Sequence, residues 1–273
     1  MTTVAFDFAA LTDPGGRKVN EDSILCMTDK TAFTAQPEPS TQPLQPENLA
    51  LQSSEGPALF AVADGLGGHG YGEVASRIAI ESTRAAFARD NSDLDACFLD
   101  GQQKILEEQE RAHNIHGFKT TLVALSILDG SARWGHIGDS RLYCFKNGKL
   151  ALRTIDHSVP QMLVSIGEIK EKEIRHHPDR NRLLRSMGTE WATPRYQLSE
   201  AMPLTGGEAF LLCSDGFWEW LDEKLMTRLY NHAKDVSDWL TQLAQAAASD
   251  SAKKPDSKRD NYSAIAIWIK NVS

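Results

Sequence analysis

No Cys-x-x-Cys pair occurs in this chain. Its cysteines, Cys26, Cys97, Cys144 and Cys213, lie far apart, which argues against a zinc site or a disulfide framework. Cys97 and Cys213 fall within apolar patterns and read as small core residues. Basic charge is not in excess: the formal net charge is -8, which argues against generic binding to nucleic acid or an anionic membrane. No apolar run approaches the roughly 20 residues that cross a bilayer. The opening MTTVAFDFAALTD has neither a basic segment nor a long apolar run, so a signal peptide is not read there and a cytoplasmic location is expected. What is present is an ordinary globular composition over 273 residues, enough for one large domain or two small ones.

Strand-like patterns occupy 3–11, 23–28 and 58–63. Between the last two lies a Pro-, Gln-, Ser- and Glu-rich stretch at 29–57, which reads as a loop or partly disordered insertion, with a short Pro-rich partner ligand as the lesser alternative. Helical spacing then runs to about Phe87, and Leu94, Phe98, Ile105 and Leu106 mark a second helix. Four strand-like runs follow at 120–128, 131–137, 140–146 and 149–154, with Asp129-Gly130 and Asn147-Gly148 between them as hairpin turns. Short helices and loops fill 158–192, strands recur near 193–198 and 208–213, helices near 222–231 and 236–248, and a final strand at 263–269. Strands and helices are segregated, not alternating, so the expected class is α+β: helices covering two packed antiparallel sheets.

The loop LFAVADGLGGHGYGEVAS holds a literal G-x-G-x-x-G at Gly65, Gly67 and Gly70, a pattern shared with dinucleotide-binding turns. The β-α-β context such a turn needs is missing, and Asp64 stands directly before the first glycine. Acidic residues mark other strand ends too: Glu21 and Asp22, Asp139, Asp215 and Asp260. A carboxylate at the end of an apolar strand is costly to bury unless paired or bound to a cation. Any one could be a turn residue. Gathered together, they are the hard oxygen donors that Mg²⁺ or Mn²⁺ requires.

Eight blocks make the pattern specific: GGRKVNEDS, FAVADGLGGHGYGEVAS, KTTLVAL, HIGDSRLYCF, TIDHSVPQMLVSIGEI, HHPDRNRLLRSMG, FLLCSDGFWEWL and RDNYSAIAIWI. In content and order the chain resembles the metal-dependent serine/threonine protein phosphatases of type 2C, in their compact bacterial form. That resemblance implies one domain over 1–273, an α-β-β-α sandwich with a flap at 165–190, and a binuclear metal centre at one end of the sheets. It implies Asp64 as the bridge between two ions, Mn²⁺ or Mg²⁺, with the Gly65 carbonyl, Asp215 and Asp260 as further ligands. Glu21 would hold the second ion, largely through water, with Asp22 beside it, and Asp139 matches a third, weaker site. Arg17 would bind the substrate phosphate, as its forked, permanently charged guanidinium suits.

The implied reaction is hydrolysis of phosphoserine and phosphothreonine in proteins by a metal-bridging hydroxide, without a phosphoenzyme, opposing a kinase in bacterial signalling, by a monomer. Small phosphate esters could use the same centre. A non-catalytic binding module would have no need to retain Arg17, Glu21, Asp64, Asp215 and Asp260 together. Leu66 occupies the place of a histidine assigned as general acid in other type-2C members, which leaves a metal-bound water as proton donor. His69 could lie behind the metal ligands or in solvent, and His157 reads as structural. Arg175, Arg180, Arg182 and Arg185 make the flap basic, either to select phosphoproteins or to pair with Glu168, Glu171 and Glu173. Lys119 replaces a glycine common in relatives.

Overall fold

The computed structural model describes residues 2–28, 32–35, 51–66, 71–114, 117–252 and 259–272. In chain order the first strands are β1 (Val4–Asp13), β2 (Asp22–Thr28), β3 (Ala32–Ala35), β4 (Gln52–Glu55) and β5 (Ala58–Leu66). Helices α1 (Tyr71–Arg89) and α2 (Leu94–Arg111) follow. Then come β6 (Lys119–Thr120), β7 (Leu122–Leu128), β8 (Ser131–Ile137), β9 (Arg141–Lys146) and β10 (Lys149–Arg153). Helix α3 (Val159–Ser165) and a 3₁₀ helix (Glu171–His176) lead into β11 (Gln197–Leu198), β12 (Met202–Pro203) and β13 (Ala209–Cys213). Helices α4 (Asp215–Trp218), α5 (Glu223–His232) and α6 (Val236–Ser251) precede β14 (Tyr262–Val272).

Two antiparallel sheets result. One has the order β10-β9-β13-β14-β1-β4; the other runs β11-β8-β7-β5-β2-β3, with β12 on β8 and β6 on β5. Alternation along the strands shows why they stack. On β5, Ala58, Phe60 and Val62 face the opposing sheet, while Leu59, Ala61 and Ala63 face α1 and α2. On β13, Phe210 and Leu212 enter the inter-sheet core, and Ala209, Leu211 and Cys213 pack towards α4, α5 and α6. Strands buried on both faces need two partners each, so three apolar layers separate four layers of structure. The mixed α+β class and the paired antiparallel sheets are as the sequence predicts.

The predicted hairpin turns also form. Asp129, Gly130, Asn147 and Gly148 all take positive φ, at 47°, 76°, 51° and 75°, the backbone that Asx-Gly tolerates in a tight two-residue connection.

Three expectations need correction. The 29–57 insertion, expected to be loop, contributes β3 to the edge of one sheet and β4 to the edge of the other. Unpaired backbone at a sheet edge accepts a strand whatever its side chains, so even the polar segment QSSE pairs with β1. The Pro-rich ligand reading at its centre lies outside the described residues. The strand near 193–198 shrinks to Gln197–Leu198; Pro194 cannot donate to a ladder. Finally, the short helix α4 follows β13, between the strand near 208–213 and the helix near 222–231, where no helix is expected from the sequence. Among the described residues no helix is long and apolar enough to cross a membrane.

Candidate metal centre

The carboxylates gather because the strands that carry them end together. Asp22 and Asp64 are directly opposite in the β2–β5 ladder. Arg141 faces Cys213 at the end of the β9–β13 ladder, so Asp139, two residues before, and Asp215, two residues after, leave the sheet side by side. Asp260 immediately precedes Asn261, next to β14. Three threonine contacts clamp the Asp64 main chain and leave its side chain to the recess. Its N–H donates to Thr121 Oγ1 at 3.0 Å, and its carbonyl accepts from Thr120 Oγ1 at 2.8 Å and the Thr121 N–H at 2.9 Å.

Glu21 is fastened from several sides. Its N–H donates to Asn261 Oδ1 at 2.9 Å, and its carbonyl accepts from Ser76 Oγ at 2.6 Å and the Gly65 N–H at 3.1 Å. A side chain on Gly72 would place its Cβ 2.8 Å from Glu21 Oε1 and 2.9 Å from the Gly65 carbonyl oxygen. These two oxygens therefore flank one point, which only a residue without a side chain leaves open. Arg17 stands at the rim, about half exposed, with Nη2 2.7 Å from Asp260 Oδ2.

The electrostatics of the recess follow from crowding like charges. Burial first, then the charges of Asp22, Asp215, Asp139 and Asp260, push the Asp64 carboxyl well above the ordinary carboxylate range. Burial and then Asp139, Glu219, Asp260 and Asp22 do the same to Asp215. Burial raises Asp22 to about 7 despite hydrogen bonds from Ser214 and Ser263, with Asp260 and Glu21 adding to the rise. Burial and Asp156 raise Asp139 to about 7. Glu21 is raised too, chiefly by burial. Asp22 accepts 2.7 Å from Ser214 Oγ through Oδ2, while the buried Oδ1 has no hydrogen-bond partner among the described residues.

An orphaned buried carboxylate oxygen beside several repelling carboxylates is unfavourable unless the group takes up a proton or a cation is held there. The donors are all oxygen, the set a hard divalent ion takes. Among the described residues no group of three or more His, Cys, Asp or Glu side chains converges tightly enough to cage one ion.

The family model described as protein phosphatase 2C matches residues 40–255. This chain belongs to the protein phosphatase 2C family. It is 36% identical over 170 residues to the serine/threonine protein phosphatase PstP of Mycobacterium tuberculosis, covering 59% of this chain and 32% of that protein. The chain thus spans about a third of the length of that curated relative. It is 30% identical over 197 residues to the serine/threonine phosphatase stp of Listeria monocytogenes, covering 69% of this chain and 77% of the relative. Among solved structures, the catalytic domain of PstP in complex with two manganese ions superposes with a TM-score of 0.73 at 25% identity, covering 98% of this chain and all of that one.

Within this protein phosphatase 2C chain, other predicted site residues fall as follows. Gly67, Gly68, His69 and Gly70 lie outside the described residues. His157 is packed, not poised: its Nδ1 accepts the Gly138 N–H at 3.2 Å, its ring stacks on His136 at 4.7 Å, and burial pushes it down to about 3. Lys119 pairs with Leu66 across the β5–β6 ladder, beside the recess.

In the flap, Arg175 pairs with Glu223 at 2.6 Å and Arg180 with Glu219 at 3.2 Å. Those carboxylates lie outside the flap, so for these two arginines the pairing with Glu168, Glu171 and Glu173 is not the one formed. Glu171 pairs instead with Arg153, and Glu173 caps the Lys170 N–H.

Sequence reading missed Asn261, whose Nδ2 donates to the Pro14 and Val19 carbonyls while its Oδ1 holds Glu21. This one amide staples the Arg17–Glu21 loop to the start of β14; its only sequence signal was adjacency to Asp260.

The crowding has a measurable consequence in metal-free protein. A carboxyl whose folded pKa is raised binds its proton more tightly in the fold, so its stabilising effect is complete below the unfolded value and lost as pH rises through the folded one. For Asp22 and Asp139 the window runs from about 4 to about 7. With EDTA present, Tm should fall between pH 5 and pH 8, and millimolar Mn²⁺ at pH 8 should restore it. A Tm that is flat across that window in EDTA would contradict the crowding.

Proposed function

We propose that this chain hydrolyses phosphoserine and phosphothreonine in proteins, using Mn²⁺ or Mg²⁺ ions held among Glu21, Asp22, Asp64, Asp215, Asp260 and the Gly65 carbonyl. Asp139 stands by a third, weaker site. Family membership supports the reading, as do relatives named as serine/threonine phosphatases and a manganese-bound neighbour. One observation carries it: acidic side chains from five separate parts of the chain share a recess where their charges raise one another.

When bound, such ions supply an acidified water and positive charge against the phosphate. The chain's own groups arrange the rest. Arg17 has donors beyond the one that meets Asp260, and a half-exposed pair of this kind is worth only about 0–1 kcal/mol, so it turns to a substrate phosphate at little cost. The clamped main chains of Asp64 and Glu21 hold their carboxylates in place before substrate arrives.

Cysteine chemistry has no foothold. All four thiols are buried, and burial pushes each of them up, Cys97 and Cys144 to about 12. Direct attack by water therefore fits better than a cysteinyl-phosphate intermediate. Leu66 offers no proton to the leaving alkoxide, so water serves there too. The biological setting we propose is bacterial signalling in the cytoplasm, with a monomer reversing the action of a serine/threonine kinase.

The test is phosphate release from a phosphothreonine peptide by purified protein with Mn²⁺ and with EDTA. Release should depend on Mn²⁺. No release under either condition would overturn the reading, and activity confined to small phosphate esters would move the substrate class away from proteins.

A further inference from the structure

The strand ends bring Asp139 and Asp215 close together, but nothing in the ladder keeps them there. The β9–β13 pairing stops at Arg141 and Cys213. Beyond it the chain turns at Gly138, with φ at 98°, on one side and enters α4 on the other. Each of the two loops leaving the sheet carries a carboxylate, Asp139 on one and Asp215 on the other. A fastener between them has to come from elsewhere.

Trp218 occupies that place. It lies on α4, three residues after Asp215, and its indole Nε1–H donates to the Asp139 main-chain carbonyl at 3.0 Å. The side chain is 2% exposed. Its ring is held from below by the guanidinium of Arg141, 3.4 Å from the ring centroid. Arg141 cannot drift, because Nε and Nη2 grip both oxygens of Asp156 at 2.8 and 2.6 Å, and Nη1 donates to Tyr143 Oη at 2.9 Å. From the flap, Arg175 Nε donates to the Trp218 carbonyl at 3.3 Å, and its guanidinium lies 5.7 Å from the ring.

We infer that Trp218 is a positioning residue: by bonding the Asp139 main chain to the helix that carries Asp215, it sets the separation of these two carboxylates and so the affinity of the weakest divalent ion. The inference rests on the metal-centre reading above. It assigns a role that packing alone does not require, since a phenyl ring would fill much of the same space over Arg141 without making the bond. Arg175 ties the flap to the main chain of the same residue, so the flap and this end of the recess meet at Trp218.

Calorimetric titration with Mn²⁺ tests this on Trp218→Phe, which keeps an aromatic ring over Arg141 and removes the N–H. The weakest Mn²⁺ should bind about 10-fold less tightly, as removal of an outer-shell partner generally does, while tighter binding is unchanged. In the Asp139→Asn background the same substitution should add no further loss, because both act through one carboxylate. Equal Mn²⁺ affinities in wild type and Trp218→Phe, or a loss that persists in full with Asn at 139, would overturn the inference while leaving the phosphatase reading intact. No Mn²⁺ uptake by wild type would overturn both.

Should Trp218→Phe fail to fold, the wild-type chain gives the readout. Solvent exchange of the Trp218 indole N–H, followed by NMR, should slow at least about 10-fold as Mg²⁺ fills its weakest site. Exchange indifferent to Mg²⁺ would overturn the inference.

Discussion

Asp64→Asn should lower kcat/KM for a phosphothreonine peptide by more than about 1,000-fold, since loss of the carboxylate proposed to bridge two ions should exceed the 10–100-fold typical of outer-shell partners. The substitution keeps the shape of the side chain and removes one negative charge. The Thr120 and Thr121 contacts hold only the main chain of residue 64, so they survive. Metal-free Asp64→Asn should therefore be at least as stable as wild type, because a carboxyl whose ionisation is opposed first by burial and then by Asp22, Asp215, Asp139 and Asp260 is gone. Inactivity with raised or equal Tm in EDTA is the expected pair of results. Near-normal turnover would show that Asp64 does not bridge the ions.

The second large effect concerns stability. Arg141 and Asp156 form an ion pair with both side chains 1% exposed. Truncating one partner of a buried pair strands the other charge, which typically costs about 3–5 kcal/mol. Arg141→Met should cost close to 3 kcal/mol, because Arg153 Nη1, 3.3 Å from Asp156 Oδ1, remains as a partial partner. In a chain of this size that is on the order of 10 °C in Tm. Arg141→Met combined with Asp156→Leu should recover most of the loss, since the stranded charge is then removed. Urea unfolding of the metal-loaded proteins would read both. By contrast, the exposed Arg111–Glu108 pair should be removable without measurable change. If Arg141→Met unfolds with wild-type midpoint, the pair is not the anchor its burial indicates.

Much of this molecule was legible before any coordinates. Short continuous apolar runs in β5, β7 and β13, and Asx-Gly turns after β7 and β9, are local signals, and they located the sheets. Carboxylates at strand ends were legible for a different reason: an acid there conflicts with the surrounding apolar run, and conflict is visible in sequence. The Arg141–Asp156 pair was not, because each residue alone is an ordinary polar position, and only the packed fold shows that both are dry. Asn261 and Trp218 escaped likewise. Their importance lies in a hydrogen bond to a residue 240 positions away for Asn261 and 79 away for Trp218. Strands β3 and β4 were missed because an edge recruits backbone, and backbone leaves no mark on composition.

The six-stranded sheet carries a consequence for how this protein is made. In it β14 pairs with β1 on one side and with β13 on the other, joining the first strand of the chain to the rest. A chain emerging from the ribosome has β1 long before β14, so that sheet stays open until residues 262–272 are out. The other sheet, built from segments between Asp22 and Pro203, can close sooner. Asp260, the Asn261 staple and the inter-sheet core all wait on the same late strand. Until that strand pairs, the carboxylates on β2 and β5 and the one beside β14 cannot come together.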